Sequence, residues 1–222
     1  MPRKIIGGAF LSMDGVMQAP GGPEEDPTGG FPYGGWLTKL FDEGLGNQVD
    51  SLFGQPFDLL LGRRTYDIFA AHWPAFADDG GIGSLFAKAR KYVVSGSHLP
   101  LNWEGSHRLG GIEAVAALKA AEDGPNLVIQ GSSTLYPQLL AHGLLDRLVT
   151  MTAPLVLGQG KRLFGDGTPA GTFKLIEHRV TAGGTAMATY EPAGEVETGS
   201  FATPDPSPEE IARRERIEAG TW

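Results

Sequence analysis

Cysteine is missing from all 222 residues of the chain. Its absence excludes disulfides, thiolate zinc sites and cysteine nucleophiles. Basic side chains are also scarce, since 18 Lys and Arg stand against 26 Asp and Glu and give a formal net charge of −8. That balance argues against nucleic acid or an anionic membrane surface as the main partner. Any site for an anion must therefore be built locally.

The beginning of the chain lacks a long apolar stretch. Residues 1–4, Met-Pro-Arg-Lys, lead directly into Ile5 and Ile6. This pattern predicts the first strand of the fold, from about Lys4 to Leu11, and no targeting segment. We therefore expect a cytoplasmic protein that does not associate with membranes.

What the chain contains is typical of one globular domain. Hydrophobic residues make up 41% and aromatic residues 9% of it, which at this length allows a sizeable core. We predict a domain over residues 1–192 and a proline-rich tail over residues 193–222. Ser207 to Glu210, Ser-Pro-Glu-Glu, is typical of a helix start. The tail helix is expected either to be disordered alone or to dock on another subunit.

One strand-to-helix junction has the features of a phosphate site. Residues 127–129, Leu-Val-Ile, predict a strand buried on both faces, and apolar residues recur at helical spacing from Leu135. Gly131, Ser132 and Ser133 lie between the two. Free N–H groups at such a junction can receive a pyrophosphate, and glycine lets the backbone approach it. An ordinary turn capped by either serine would show the same pattern.

A second junction carries two cations. Residues 58–61, Asp-Leu-Leu-Leu, predict another strand, and Gly62, Arg63, Arg64 and Thr65 follow at the start of a helix. Arginines at a helix N-terminus oppose the macrodipole, so they suggest that an anion binds there. The alternative is a solvated basic turn.

A third strand, from Lys91, ends at Ser95 in small hydroxyl residues. Ligands bind open α/β sheets where such strand ends meet. Strands and helices alternate along the chain, and residues 173–180 and 185–190 predict a terminal hairpin. We therefore predict an α/β fold with a mostly parallel central sheet, flanked by helices and closed by a C-terminal antiparallel hairpin.

Residues 16–35, called the lid loop below, are rich in Gly and Pro and contain little that could pack. A loop of this length in a compact domain tends to be functional, so we predict a lid over the substrate. A disordered surface insertion is the alternative. After the lid loop, apolar residues from Trp36 to Leu52 recur at intervals of three and four and predict an amphipathic helix.

Patterns for several other chemistries are lacking. The five histidines show no His-Glu-x-x-His spacing, and no metal site is predicted. Gly158 to Lys161, Gly-Gln-Gly-Lys, has neither the first glycine nor the final Ser or Thr of a Walker loop, and no third glycine of a dinucleotide fingerprint. No Gly-x-Ser-x-Gly elbow is present.

The order of these features resembles the dihydrofolate reductase-like fold, and more closely the reductase domain of bacterial riboflavin biosynthesis and its stand-alone relatives. The resemblance is carried by Ser12–Gly15, Gly34–Trp36, Gly62–Tyr66, Val94-Ser95, Gly131–Tyr136, Leu144–Leu148 and Pro154–Gly158. The absence of cysteine indicates that the zinc deaminase domain fused to many such reductases is missing here.

The resemblance implies NADPH as the cofactor. Arg63 would face the 2′-phosphate with help from Arg64, and Thr65 would bind the pyrophosphate. Ser95 would contact the adenosine half. The remaining positions would line the pyrophosphate and the nicotinamide riboside: Gly62, Gly131, Ser132, Ser133 and Leu135, with Ala9 and Met17 at the nicotinamide itself. The family often has two glycines where this chain has Gly131 and Ser132.

The same resemblance suggests where the proton comes from. Asp14 matches the aspartate of the Ser-x-Asp-Gly motif, although an aspartate before Gly15 is also typical of a turn. The candidate proton donors are Asp14, Asp42 on the predicted first helix, and ordered water.

The implied reaction is hydride transfer from NADPH to a small substrate of the pyrimidine or pteridine type, in a homodimer. The nearest named activity is 5-amino-6-(5-phosphoribosylamino)uracil reduction. Three alternatives stay open: dihydrofolate reduction, a nucleotide-binding module that has lost its catalytic acid, and flavin binding.

Overall fold

The computed structural model describes residues 3–121, 124–202 and 205–222, so the extreme start of the predicted domain and residues 203–204 of the predicted tail lie outside it. The strands are β1 Ile5–Leu11, β2 Phe57–Gly62, β3 Lys91–Val94, β4 Ser106–Leu109, β5 Asn126–Gln130, β6 Arg147–Thr152, β7 Thr172–Val180 and β8 Ala186–Gly194. The helices are α1 Glu43–Phe53, α2 Arg63–His72, α3 Ile82–Lys88, α4 Ile112–Ala120, α5 Leu135–Ala141 and α6 Pro208–Glu218.

All these strands belong to one sheet, in the order β4-β3-β2-β5-β1-β6-β8-β7. Neighbours from β4 to β6 are parallel. Strand β8 is antiparallel to β6, and β7 is antiparallel to β8. The structure therefore confirms the predicted α/β fold, with its mostly parallel sheet and C-terminal antiparallel hairpin.

The sheet is covered on both faces, which explains its apolar central strands. Leu60 of β2 belongs to a cluster with Tyr136 of α5, whereas Leu59 belongs to a cluster with Phe86 of α3 on the other face. Helix α5 crosses β1 so closely that a Cβ on Gly7 would lie 2.7 Å from the Tyr136 ring. Glycine is needed there because any larger side chain would push the helix away.

Charged side chains fasten the start of β1 to its neighbours. Arg3 forms a buried ion pair with Asp58 of β2. Asp146, just before β6, accepts the N–H of Ile5 at 2.7 Å and pairs with Lys119 of α4 at 2.8 Å. These contacts fix where β1 enters the sheet, and hence where its carboxyl end emerges.

Two elements differ from the sequence-based expectation. The helix expected from Trp36 begins at Glu43, because Asp42 adopts an extended conformation and caps it. The residues before Asp42 form successive turns, yet Leu37 still packs into the core. Strand β4, Ser-His-Arg-Leu, was not predicted, since an edge strand of this composition has no apolar run.

The helix start predicted in the tail is confirmed. Ser207 caps α6, and its hydroxyl oxygen accepts the N–H of Glu210 at 3.3 Å. Ile211, Ile217 and Trp222 are exposed. Docking of the tail on another subunit stays a prediction. No helix in the described part of the chain is both long enough and apolar enough to cross a membrane.

Candidate active site

A cavity of about 1090 Å³ lies at the carboxyl ends of β1, β2 and β5. This edge is where ligands bind open parallel sheets. Its walls are the end of β1, the lid loop, helix α2 and the turn after β5. The sequence-predicted site residues that line it are Ala9, Met17, Gly62, Arg63, Arg64, Thr65, Gly131, Ser132 and Ser133.

One hydroxyl joins the two predicted phosphate junctions. Ser132 Oγ, after β5, accepts the N–H of Gly62 at 2.7 Å and donates to Thr65 Oγ1 at 2.8 Å. Gly62 must stay small, because a Cβ there would lie 2.8 Å from this oxygen. The ends of β2 and β5, far apart in the sequence, are thereby held together on one wall of the cavity.

The backbone of this turn lies in the left-handed region. Gly131 has φ +95° and Ser132 has φ +72°. For a residue other than glycine this costs on the order of 1 kcal/mol. The two hydrogen bonds of the Ser132 hydroxyl offset that cost. These two hydrogen bonds explain why serine is tolerated at this position, where the family that the sequence resembles often has glycine.

The two arginines at the start of α2 are held differently. Arg63 donates to both carboxylate oxygens of Asp67 at 2.9 Å and to the carbonyl of Leu99 at 2.9 Å. The hydrogen bond to Asp67 raises the pKa of Arg63. Arg64 is exposed and forms no ion pair with any residue that the structure describes. Both residues line the cavity, and the guanidinium group of Arg64 forms fewer hydrogen bonds with the described residues than that of Arg63.

Ser95 and Leu135 lie behind the cavity surface and are not among its lining residues. Ser95 is buried at the end of β3, where its hydroxyl accepts the N–H of Ser97 at 3.1 Å. Leu135 is a core residue at the start of α5. Neither β3 nor α5 contributes a residue to the cavity lining, so the structure does not bring these two predicted positions to the cavity.

Asp14 is engaged by the loop after β6 and is not one of the lining residues. Its carboxylate accepts the Ser12 hydroxyl at 2.6 Å and the N–H groups of Leu157 at 3.1 Å and Gly158 at 2.9 Å. The hydrogen bond from Ser12, followed by that from Leu157, lowers the pKa of Asp14 to about 2. These contacts hold two loops together with an ionised carboxylate.

Asp42 also lies outside the cavity lining. Its carboxylate accepts the N–H of Leu45 at 2.9 Å, as the cap of α1, and the N–H of Gly183 at 2.8 Å. The hydrogen bond from Thr181 makes the largest contribution to lowering its pKa. Asp42 therefore joins α1 to the turn between β7 and β8.

The lid loop has a small core of its own. Val16, Ala19 and Phe31 are buried together. The indole N–H of Trp36 donates to the carbonyl of Gln18 at 2.8 Å. The loop thus packs with few apolar side chains, and residues 17–28 line one side of the cavity.

Polar contacts hold the base of the lid loop. The amide of Gln18 donates to the carbonyls of Asp26 and Thr28, both at 2.9 Å. Lys161 pairs with the Asp26 carboxylate and donates to the Thr28 hydroxyl at 2.6 Å. Burial alone would raise the pKa of Asp26, but the hydrogen bonds from Lys161 and Thr28 outweigh it and lower the pKa.

Sequence reasoning missed several lining residues, among them Glu25, His72 and Lys161. Lys161 was noticed only as the end of a rejected Walker pattern. His72 lies seven positions after Thr65, so helical spacing from Thr65 places it on the same face of α2 and was a usable signal. No sequence signal marks Glu25, because its position depends on how the lid loop folds back.

Comparison with known proteins identifies the family. The model of the RibD C-terminal domain matches residues 3–187. The uncharacterized protein YyaP of Bacillus subtilis is 25% identical over 196 residues, which cover 85% of this chain and 94% of YyaP.

Solved structures share the fold. One is the diaminohydroxyphosphoribosylaminopyrimidine deaminase/5-amino-6-(5-phosphoribosylamino)uracil reductase of Thermotoga maritima, with a TM-score of 0.57 and 13% identity over 86% of this chain and 57% of that one. Another is the dihydrofolate reductase of Enterococcus faecalis complexed with NADP(H), with a TM-score of 0.52 and 14% identity over 85% of this chain and 96% of that one. At such identities the likeness shows the fold alone.

Proposed function

Because the chain belongs to the RibD C-terminal domain family, we propose that it is an NADPH-dependent reductase of a small heterocyclic substrate. The nearest named activity is 5-amino-6-(5-phosphoribosylamino)uracil reduction. The observation that carries the proposal is the pair of strand ends joined by the Ser132 hydroxyl, beside Arg63 and Arg64, on the wall of one large cavity.

The residues of this wall fit a dinucleotide phosphate. Helix α2 begins without a side-chain cap, so its first N–H groups are free for an anion. The exposed Arg64 supplies a cation. Gly131 has no side chain, and the Ser132 hydroxyl is bonded to Thr65, so a pyrophosphate could approach the backbone of this turn. The cavity, at about 1090 Å³, is at or above the upper end of the roughly 300–1,000 Å³ of small-molecule sites. It has room for a cofactor and a substrate together.

Roles for residues of the remaining walls form part of the proposal. Ala9 and Met17, near the end of β1, would contact the nicotinamide, which supplies the hydride when the cofactor is bound. The lid loop would exclude water from the reacting atoms. The far end of α2, with His72 and Trp73, and the facing part of the lid loop would surround a pyrimidine or pteridine ring.

Titration of the purified protein with NADPH and with NADH, followed by nicotinamide fluorescence, tests this proposal. We expect saturable binding with a clear preference for NADPH. Arg63→Ala and Arg64→Ala should each weaken NADPH binding by roughly tenfold or more, the loss of one charged hydrogen bond, and should weaken NADH binding less. Arg216→Ala, in the tail helix, is the matched control. Absence of binding to either nucleotide would overturn the reductase proposal.

One observation favours a second candidate, a nucleotide-binding module without turnover. Asp14 and Asp42, the carboxylates considered as proton donors, both make structural hydrogen bonds away from the cavity lining. Tight NADPH binding without reduction of pyrimidine or pteridine substrates would single out this candidate.

A further inference from the structure

The acidic residues that line the cavity, as far as the structure describes the chain, are Glu24, Glu25, Asp26 and Asp67. Two of them are already neutralised: Asp26 pairs with Lys161 and Asp67 with Arg63. Glu24 is exposed to solvent. Glu25 is left as a partly buried carboxyl group that forms no ion pair with any described residue.

The lid loop holds Glu25 in one orientation. Its Oε2 accepts the N–H of Gly21 at 2.6 Å, and its own N–H donates to the carbonyl of Gly22 at 3.2 Å. The N–H of Gly22 also forms a hydrogen bond with the Glu25 carboxyl group, so both glycines orient it. A carboxyl group held in this way at the cavity wall is positioned to contact a bound molecule.

The surroundings of Glu25 favour its protonated form. Burial raises its pKa, and the neighbouring Asp26 raises it further, while the N–H groups of Gly21 and Gly22 and the His72 side chain lower it. The net effect is a raised pKa. General acids are commonly tuned in this direction by burial.

The position of Glu25 separates it from the phosphate wall. Its electrostatic neighbour His72 is at the last residue of α2, whereas Thr65 is in the first turn. Seven residues of helix span on the order of 10 Å. Because Glu25 lines the same cavity and its charge interacts with His72, it would belong to the end of the cavity that remains for the substrate once a dinucleotide occupies the wall at Arg63 to Thr65.

We propose that Glu25 of the lid loop donates the proton in the reduction, an inference that rests on the proposed reductase function. A carbon of the substrate's C=N or C=O bond accepts a hydride, and the electron pair of that bond moves to the nitrogen or oxygen. Glu25 donates its proton to that atom and is left as a carboxylate, while the nicotinamide is oxidised. Solvent returns a proton to Glu25 when the lid loop opens.

The first test compares Glu25→Gln with the wild-type protein and with Glu177→Gln, a control on the exposed strand β7. NADPH affinity should stay within about twofold in both variants. With 5-amino-6-(5-phosphoribosylamino)uracil or dihydrofolate as the substrate, kcat should fall roughly 100-fold or more in Glu25→Gln, the range for a lost general acid, and Glu25→Asp should recover part of it. Equal kcat in Glu25→Gln and Glu177→Gln would overturn the proposal.

The second test needs no turnover. Glutamate labelled with ¹³C at the carboxyl carbon is titrated by NMR in the NADPH-saturated protein, with the Glu25 signal assigned by its loss in Glu25→Gln. A pKa clearly above the usual value of about 4.3 supports the proposal, and an ordinary one overturns it even if no substrate is reduced. Failure of the wild-type protein to bind NADPH would instead remove the reductase function on which the inference rests.

Discussion

The lid loop and the tail are both rich in proline or glycine, yet the lid loop buries Val16 and Phe31, whereas the tail leaves Ile211 and Trp222 exposed. The two segments differ in which other parts of the protein they contact. The lid loop runs between the end of β1 and the connection after β6, and Lys161 of that connection reaches the buried carboxylate of Asp26.

The cap and the ion pairs of α6, in contrast, join residues of the tail to one another. Ser207 caps α6, and Glu210 pairs with Arg213 and Arg214. Exposed pairs of this kind contribute little to stability. A few side chains that reach the domain therefore matter more for order than the composition of the segment.

The largest expected effect comes from breaking the core of the lid loop with Gly160→Ala. Gly160 has φ +126°, and a Cβ there would lie 2.6 Å from Val16 and 2.9 Å from Phe31. Overpacking and backbone strain together should lower the free energy of unfolding by about 2–4 kcal/mol. Urea unfolding measures this. Gly158→Ala is the control, since its φ is +77° with nothing within 4 Å, and it should cost only about 1 kcal/mol. Equal losses would show that steric contact with the lid loop is unimportant.

A smaller effect is expected from Lys161→Met, which leaves Asp26 without its cation. The side chain of Lys161 is 29% exposed and that of Asp26 9%, so the loss in unfolding free energy at neutral pH should be about 1–2 kcal/mol, below that of a fully buried pair.

This loss should depend on pH. In the folded protein the pKa of Asp26 lies below its ordinary value of 3.8. The stabilisation that the ionised carboxylate provides is therefore fully present above pH 3.8 and disappears as the pH falls through the folded pKa. Unfolding free energies of Lys161→Met and wild type should therefore converge in acid. A difference that is constant with pH would mean that the ion pair is not its source.

The smallest effect is expected in the tail. Deletion of residues 195–222 should change the free energy of unfolding of the dilute protein by less than about 0.5 kcal/mol. Ser207→Ala should increase hydrogen exchange within α6, because the lost cap costs about 1 kcal/mol locally, without altering the unfolding midpoint.

Size-exclusion chromatography tests whether the tail contacts another subunit. If truncation shifts elution more than the lost mass explains, the tail docks on a second subunit.

Much of the fold could be predicted from the sequence because its central strands are continuous apolar runs. Leu59 to Leu61 and Leu127 to Ile129 are buried on both faces, and no other element type fits such short runs next to Gly62 and Gly131. Strand β4 was not predictable in this way, since pairing with β3 alone, and not burial, defines it.

The site was predictable where residues adjoin strand ends and not where loops position them. The sheet brings Gly62 to Thr65 and Gly131 to Ser133 to one edge, so their spacing along the chain was informative. The positions of the Asp14 and Asp42 side chains are set by hydrogen bonds to distant loops at Gly158 and Gly183. A local sequence pattern does not contain that information.

The hydroxyl of Ser132 affects how much conformational entropy the protein would lose on binding at one end of the cavity. Since it bridges Gly62 and Thr65, the anion-binding end is preorganised and a ligand there would lose little conformational entropy of the protein. At the substrate end, the lid loop is joined to the connection after β6 by the Lys161–Asp26 pair and by the hydrogen bond from the Lys161 N–H to the Gln18 side chain, so that end opens only if these contacts break. Affinity would then be decided at one end of the cavity and the timing of opening and closing at the other.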